Sequence, residues 1–304
     1  MILCAGEALI DMLPRETTAG ESAFAPHAGG AVFNTAIALG RLGAPVQFFS
    51  GLSSDLFGDV LRNQLAASQV DSSPAAVSDR PTTLAFVTLT DGHASYAFYD
   101  ENTAGRMITS DDLPEITADA VFVGGISLAV EPCAAAYEAL AAKAAPNAVV
   151  MMDPNVRPSF IKDEAVYRAR IARMIDNCDI IKMSDEDLAW FMPDETASDA
   201  AMRVVEGGVK LLCITEGSKG VTGYSANHEV FVPANKAEVV DTVGAGDTFN
   251  AGLLASLHAA GALTKNGIAS LDADTMRDAL AMGAKTAAIT VSRAGANPPW
   301  AHEL

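Results

Sequence analysis

The chain has 304 residues, and 38 acidic against 20 basic side chains leave a formal charge of −18. Half of the residues are apolar and 19% are charged, which excludes disorder as the main state and is ample for a buried core. No basic run is present to neutralise the phosphates of a nucleic acid, and no apolar stretch approaches the ~20 residues of a membrane-spanning helix, so neither partner is expected.

In chain order, Ile2 to Ala5 reads as a first strand, with no basic region ahead of it and acids at Glu7 and Asp11. A secretory signal is therefore not expected, and a cytoplasmic address is. Pro14 to His27, rich in Gly, Ser, Thr and Pro, reads as irregular. Val32 to Leu42 has helical spacing, and Val46 to Ser50 is a strand. Thr82 to Thr90 and Ala94 to Tyr99 then break the pattern as two strands joined by Asp91-Gly92-His93, a hairpin whose mixed polar and apolar arms suit a lid. Strands follow at Ala120 to Val123, Ala148 to Met152, Ile180 to Lys182 and Lys210 to Thr215. Helices are expected at Glu131 to Ala145, with Pro132 in its first turn, and at Leu253 to Ala260. This alternation predicts an α/β fold, a mostly parallel central sheet with helices on both faces and a small β lid. With no repeat or linker, residues 1–304 read as one domain, with lid segments at about 12–28 and 82–104. The four cysteines, Cys4, Cys133, Cys178 and Cys213, are widely spaced and read as buried free thiols.

The segment that carries chemistry is Asp241-Thr242-Val243-Gly244-Ala245-Gly246-Asp247-Thr248-Phe249-Asn250. Small residues immediately before a helix leave backbone N–H groups uncovered, and with the helix dipole these form an anion site. Asp247 at the helix start can be a simple cap. An acid beside an anion hole is also what phosphoryl transfer to an alcohol needs: donors for the migrating charge and a base for the hydroxyl proton.

That segment resembles the C-terminal signature of the ribokinase-like (PfkB) carbohydrate kinases. Gly29-Gly30-Ala31-Val32-Phe33-Asn34, with Leu39-Gly40-Arg41-Leu42-Gly43, resembles the N-terminal one. The resemblance runs from Gly6-Glu7-Ala8-Leu9-Ile10-Asp11 to Gly295-Ala296-Asn297-Pro298. Gly125-Ile126-Ser127-Leu128, Asp153-Pro154-Asn155-Val156-Arg157-Pro158 and Lys182-Met183-Ser184-Asp185-Glu186-Asp187 are similar to stretches of bacterial fructokinases.

The resemblance implies an ATP-dependent kinase acting on a hydroxyl of a small sugar, D-fructose. Asp247 would be the base, Gly244, Ala245 and Gly246 the anion hole, and Arg157 a phosphate or sugar contact. Asp11, Gly29, Gly30, Asn34, Phe98, Ser127, Asp153 and Asn155 would face the sugar. Lys182, Thr215, Gly217, Lys219, Gly220 and Asn297 would face the nucleotide. Mg²⁺ would arrive with ATP near Asp187, and a monovalent cation such as K⁺ near Asp241, Val243 and Gly295. Two departures stand out. The family's Asn-x-x-Glu element is Ser184-x-x-Asp187 here, so Asp187 would act through water or be replaced by Glu186. Phe33 stands in a run that fructokinases usually write Ala-Pro-Ala, and it either narrows the sugar pocket or faces the core.

Within the family the alternatives are 2-keto-3-deoxygluconate, whose carboxylate would need Arg106 or Arg157, and a nucleoside, which would need an aromatic platform such as Tyr96, Phe98 or Tyr99. A sugar or nucleotide sensor without catalysis is the rival of another class. The lid's exposed edge leads to the expectation of a homodimer formed through it.

Overall fold

The computed structural model describes residues 1–90 and 93–304, with the side chains of 88–90 and 93–96 outside the description. The chain opens with β1 (Ile2–Ala5), β2 (Leu9–Glu16), β3 (Ser22–Gly29), α1 (Ala31–Arg41), β4 (Val46–Phe49), β5 (Gly51–Ser53), α2 (Leu56–Ala67) and β6 (Ala76–Ser78). Next come β7 (Leu84–Thr90), β8 (His93–Tyr99), β9 (Ala120–Gly124), α3 (Cys133–Ala144), β10 (Val149–Asp153), α4 (Glu164–Ile175), β11 (Ile180–Ser184), α5 (Asp185–Phe191) and α6 (Ala197–Glu206). The last third holds β12 (Leu211–Thr215), β13 (Gly220–Tyr224), β14 (Glu229–Pro233), α7 (Ala245–Ala259), α8 (Lys265–Ala269) and α9 (Ala273–Val291).

Eight strands form one sheet in the order β14-β13-β12-β11-β10-β9-β1-β4, parallel from β12 to β4 and antiparallel at β13 and β14. Side chains alternate between its faces. Ile2, Cys4, Phe122 and Met151 enter a core with α1, α7 and α9, while Leu3, Ala5, Val123 and Met152 enter a second core with α3 and α4. Burial on both faces explains why these strands are continuous apolar runs. Phe33 lies fully inside the first core, edge-on to Phe48 at 5.8 Å, so it packs rather than narrowing a pocket. All four cysteines are free and buried. The chain leaves β1 for β4 on one side and returns to β9 on the other, and the crevice outside the carboxyl ends at such a reversal is where open α/β sheets hold ligands.

The main departure from expectation is residues 14–27, which are not irregular. β2 and β3 form a regular antiparallel hairpin, from Leu9 opposite Gly29 to Glu16 opposite Ser22, within a second sheet of order β3-β2-β7-β8. The prolines that argued against strands are tolerated because Pro26 lies on the edge strand β3, and Pro14 lies beyond Met12, where pairing with β7 stops. Asp11 accordingly belongs to this small sheet. The hairpin of β7 and β8 is present, and Asp91 and Gly92 of its turn lie outside the described residues. Pro132 precedes α3 instead of occupying its first turn. Among the described residues no helix is long and apolar enough to cross a membrane.

Candidate active site

The first turn of α7 is the centre of the site. Gly244 is its cap in the left-handed region at φ 79°, and a Cβ there would stand 2.6 Å from the Ala296 Cβ, so the position needs glycine twice over. The helix begins at Ala245, placing Ala245 and Gly246 inside the first turn rather than before it. Ala245 N–H is also partly spent, on the Thr242 carbonyl at 3.3 Å. The N–H groups of Gly244, Gly246 and Asp247 have no acceptor among the described residues, so an anion seated at this helix start would meet three unspent donors.

Asp247 is buried, and its Oδ2 accepts the Asn34 Nδ2–H at 2.9 Å from α1. Thr35 Oγ1 donates to its backbone carbonyl at 3.1 Å, locking α1 to α7 at this point. Burial pushes the Asp247 carboxyl up to about 7. The Asn34 bond and the Lys182 charge act against this, and the charges of Asp153 and Glu7 reinforce it. A carboxyl poised there is half ionised near neutral pH, as a general base should be.

Behind the turn, Lys182 Nζ in the middle of β11 donates at 3.0 Å to Oδ2 of Asp153, which ends β10. Asn250 Nδ2, one turn beyond Asp247, donates to the same oxygen at 2.7 Å, and Asn155 N–H binds Oδ1 at 3.1 Å. Burial alone would lower the Lys182 pKa, but the carboxylates of Asp153, Asp187 and Asp247 raise it, so the side chain is an ammonium.

The other wall is the small sheet. Asp11, Ala85 and Phe98 are directly opposed across β2, β7 and β8 and share one face. The Asp11 carboxyl lies against Gly29, where a Cβ would overlap Oδ2. It has no hydrogen-bond donor among the described residues, and burial pushes it up to about 6. Gly30, at φ 110°, caps α1 without a side chain, and Glu7 supplies the missing cap: its Oε1 accepts the Ala31 N–H at 3.0 Å and Oε2 the Ser127 N–H at 3.3 Å. Phe98 meets Phe160 edge-on at 4.8 Å on a cleft of about 480 Å³ that Thr82, Asp100 and Lys162 also line. A smaller hollow shares Asp100 and Phe160 with it and reaches Glu7 and Ser127.

With that geometry in place, comparison with known proteins is direct. The model of the pfkB family carbohydrate kinases matches residues 1–303. The chain belongs to that family. It is 54% identical over 280 residues to a fructokinase of Rhizobium leguminosarum bv. trifolii, covering 91% of this chain and 86% of that one. It is 34% identical over 310 residues to fructokinase-1 of Zea mays, covering 98% and 94%. Among solved structures, the fructokinase of Xylella fastidiosa with bound ATP superposes with a TM-score of 0.88 at 30% identity, over 97% and 93% of the two chains.

In this carbohydrate kinase the structure brings together Asp247, Asn34, Lys182 and Asp153, with Gly244 to Gly246 around them. Asp153, expected to face sugar, has both oxygens committed to the protein. Ser127 Oγ donates to the Gly124 carbonyl at 2.7 Å. Asn155 has φ 43° and shapes the loop before Arg157. The exposed Arg157 guanidinium folds onto the Val156 carbonyl at 3.0 Å, with no carboxylate partner among the described residues. Asp187 is spent on backbone: Oδ2 accepts Ser184 N–H at 3.1 Å in a capping box and Oδ1 accepts Val156 N–H at 2.9 Å, while Glu186 is exposed.

Of the expected nucleotide residues only Lys182 belongs to this cluster; the others make their contacts elsewhere. Thr215 ends β12 and donates to the Met183 carbonyl at 3.4 Å. Gly217, Lys219 and Gly220 form the β12–β13 hairpin turn, with Lys219 paired to Glu216 at 3.1 Å and Gly220 in close contact with the β14 backbone. Asn297 gives its amide oxygen to Arg41 Nη1 at 2.8 Å. Arg41 also donates to the Pro298 carbonyl at 2.9 Å and lies over the Trp300 ring. The Asp241 carboxylate joins Val243 N–H at 3.0 Å to Gly295 N–H at 2.9 Å, so those three residues do meet.

Sequence reasoning missed Asn250 and Glu7 as members of the site. Asn250 had a signal, since a residue three after Asp247 shares its helix face. Glu7 had none, because its partners lie 24 and 120 residues away.

Proposed function

We propose that this kinase transfers the γ-phosphoryl group of ATP to a primary hydroxyl of D-fructose. The observation that carries the reading is Asp247, a buried carboxyl poised near neutrality one residue from unspent N–H donors. As the sugar oxygen attacks phosphorus, its proton passes to Asp247 while the bond to ADP breaks. Gly244, Gly246 and Asp247 N–H groups receive the charge that develops on the phosphoryl oxygens. Asn34 keeps the carboxylate aimed. Asp11, the backbone of Gly29 and Gly30, and Phe98 form the sugar wall, and the unpartnered Asp11 carboxyl gains its hydrogen bonds only from a sugar. Arg157 swings from its own loop to the phosphate.

Fructose is favoured over its alternatives by the 54% identity to the rhizobial fructokinase. Of the two arginines a keto acid could use, Arg106 is already held by Asp100 at 3.1 Å and the Glu131 carbonyl at 3.0 Å, while Arg157 has no carboxylate partner among the described residues. Of the aromatics a nucleoside could use, Tyr99 stands on the opposite face of the small sheet from Asp11, beside Phe86, while Phe98 lies on the Asp11 face. Tyr96 lies outside the described side chains.

For the nucleotide, Lys182 lies nearest the transferring phosphate, and the turn from Thr215 to Gly220 with Asn297 flanks the base. Mg²⁺ enters on the ATP phosphates, a mode that keeps several waters and needs only one or two protein carboxylates. No cluster of three metal-ligating side chains exists among the described residues, which fits a metal brought by substrate, with Asp187 acting through water. A K⁺ site at Asp241, Val243 and Gly295 would use their carbonyls, since the Asp241 oxygens already accept N–H groups. We place the kinase in the cytoplasm and pair two copies through the small sheet, whose outer face carries the aromatic row Phe24, Phe86 and Tyr99.

The test is ADP release with Mg-ATP across fructose, ribose, 2-keto-3-deoxygluconate, adenosine and guanosine. Fructose should give the highest kcat/KM. Turnover of none would leave the sensor reading, and a monomer at micromolar concentration would remove the dimer.

A further inference from the structure

Lys182, Asp153 and Asn250 come from β11, β10 and α7, and each is more than nine-tenths buried. A buried ion pair recovers its lost hydration only when further hydrogen bonds complete it. Asp153 is completed by three donors: Lys182 Nζ, Asn250 Nδ2 and Asn155 N–H. Lys182 is not. Two of its three N–H bonds have no acceptor among the described residues, and its Nζ lies 3.0 Å from where a Cβ on Gly246 would stand. The ammonium therefore faces the anion hole with donors to spare. Asn250 has its own imbalance: its Oδ1 is buried without a partner, so donation to Asp153 is what orients the amide.

We propose that Asp153 and Asn250 are positioning residues that hold the Lys182 ammonium against the anion hole, so that the terminal phosphate of ATP meets a cation fixed there beforehand. Asn250 holds the carboxylate and the carboxylate holds the ammonium, although neither touches substrate. Because Asn250 lies three residues after Asp247, the helix that carries the base also aligns the cation. This rests on the kinase reading and assigns two residues of that site a share in recognising the γ-phosphate.

The experiment compares Asn250→Leu, which removes the donor at similar size, and Asp153→Asn, which removes the charge at the same shape, by calorimetric affinity for Mg-ATP and Mg-ADP and by KM for each substrate. Affinity for ATP should fall about 10- to 100-fold, as for a lost charge-assisted contact, while ADP affinity and sugar KM change less than about threefold. Asp153→Asn leaves a buried unpaired ammonium and can fail to fold. The double variant Asp153→Leu, Lys182→Met removes both charges and carries the same test. A folded variant that keeps the preference for ATP over ADP overturns the proposal, as does one that loses both nucleotides equally. Sugar turnover by the unaltered chain tests the kinase reading separately, and either result can fail without the other.

Discussion

The two walls of the site are built on opposite principles. Around α7 the carboxylates are held by protein, Asp247 by Asn34 and Asp153 by three donors, and the groups left unspent are the N–H groups of the helix start, the Lys182 ammonium and Asn250 Oδ1. On the small sheet the reverse holds. Asp11 has no donor among the described residues, and the wall is otherwise glycine backbone and an aromatic ring. The difference teaches where preorganisation is needed. Charge that appears only during transfer is met by fixed groups, whereas a sugar that binds in its ground state can supply the missing hydrogen bonds itself.

The largest effect should come from the wired wall. Asp247→Asn keeps the size and the Asn34 contact but cannot accept a proton, so kcat should fall about 10²- to 10⁴-fold, or about 3–5 kcal/mol of barrier, with calorimetric binding of ATP and fructose retained. Near wild-type turnover would reduce Asp247 to a helix cap.

The same substitution should reveal what the wiring costs the fold. With its pKa raised to about 7, the folded chain holds a proton that the unfolded chain releases near 4. Stability is thus lost as pH rises from about 4 to 7, and the loss is complete above that. Asp247→Asn removes the loss, so its advantage in stability should grow from about 1.7 kcal/mol at pH 5 to about 4 kcal/mol at pH 8, and the Tm difference should grow with it. Equal Tm differences at both pH values would show that the carboxyl is not held neutral.

On the unwired wall, Asp11→Ala should raise the sugar KM about 10- to 100-fold, about 1.5–3 kcal/mol, with the ATP KM nearly unchanged. Gly29→Ala should reproduce that signature with the acid still present, because the new methyl takes the space of Asp11 Oδ2 and displaces the carboxylate. An unchanged sugar KM in both variants would move the sugar elsewhere. The smallest effect is reserved for Lys219→Gln. This exposed lysine pairs with Glu216 on the hairpin turn, so the ATP KM should change less than about threefold. A larger rise would bring that turn into the nucleotide site.

The same contrast governs what could be read from sequence. The parallel strands were legible because burial on both faces makes them unbroken apolar runs, and Asp247 and Asn34 because each stands in a long signature. β2 and β3 were not, since an exposed edge hairpin tolerates Pro14 and Pro26, and its alternation is written in polar and small residues. Asp153 was assigned to the sugar from its place at a strand end. Only coordinates show both of its oxygens turned inward toward Lys182, Asn250 and Asn155.

One consequence follows from α1. Near its start Asn34 holds Asp247, and at its end Arg41 holds Asn297 and Pro298, whose neighbour Ala296 packs on Gly244. Seven residues separate Asn34 from Arg41, close to two helical turns, so both project from the same side about 10 Å apart. The helix is in effect a ruler that sets the span between Asp247 and the C-terminal loop. Adding one residue between them would rotate Arg41 by about 100° and release the loop, even with every site residue unchanged.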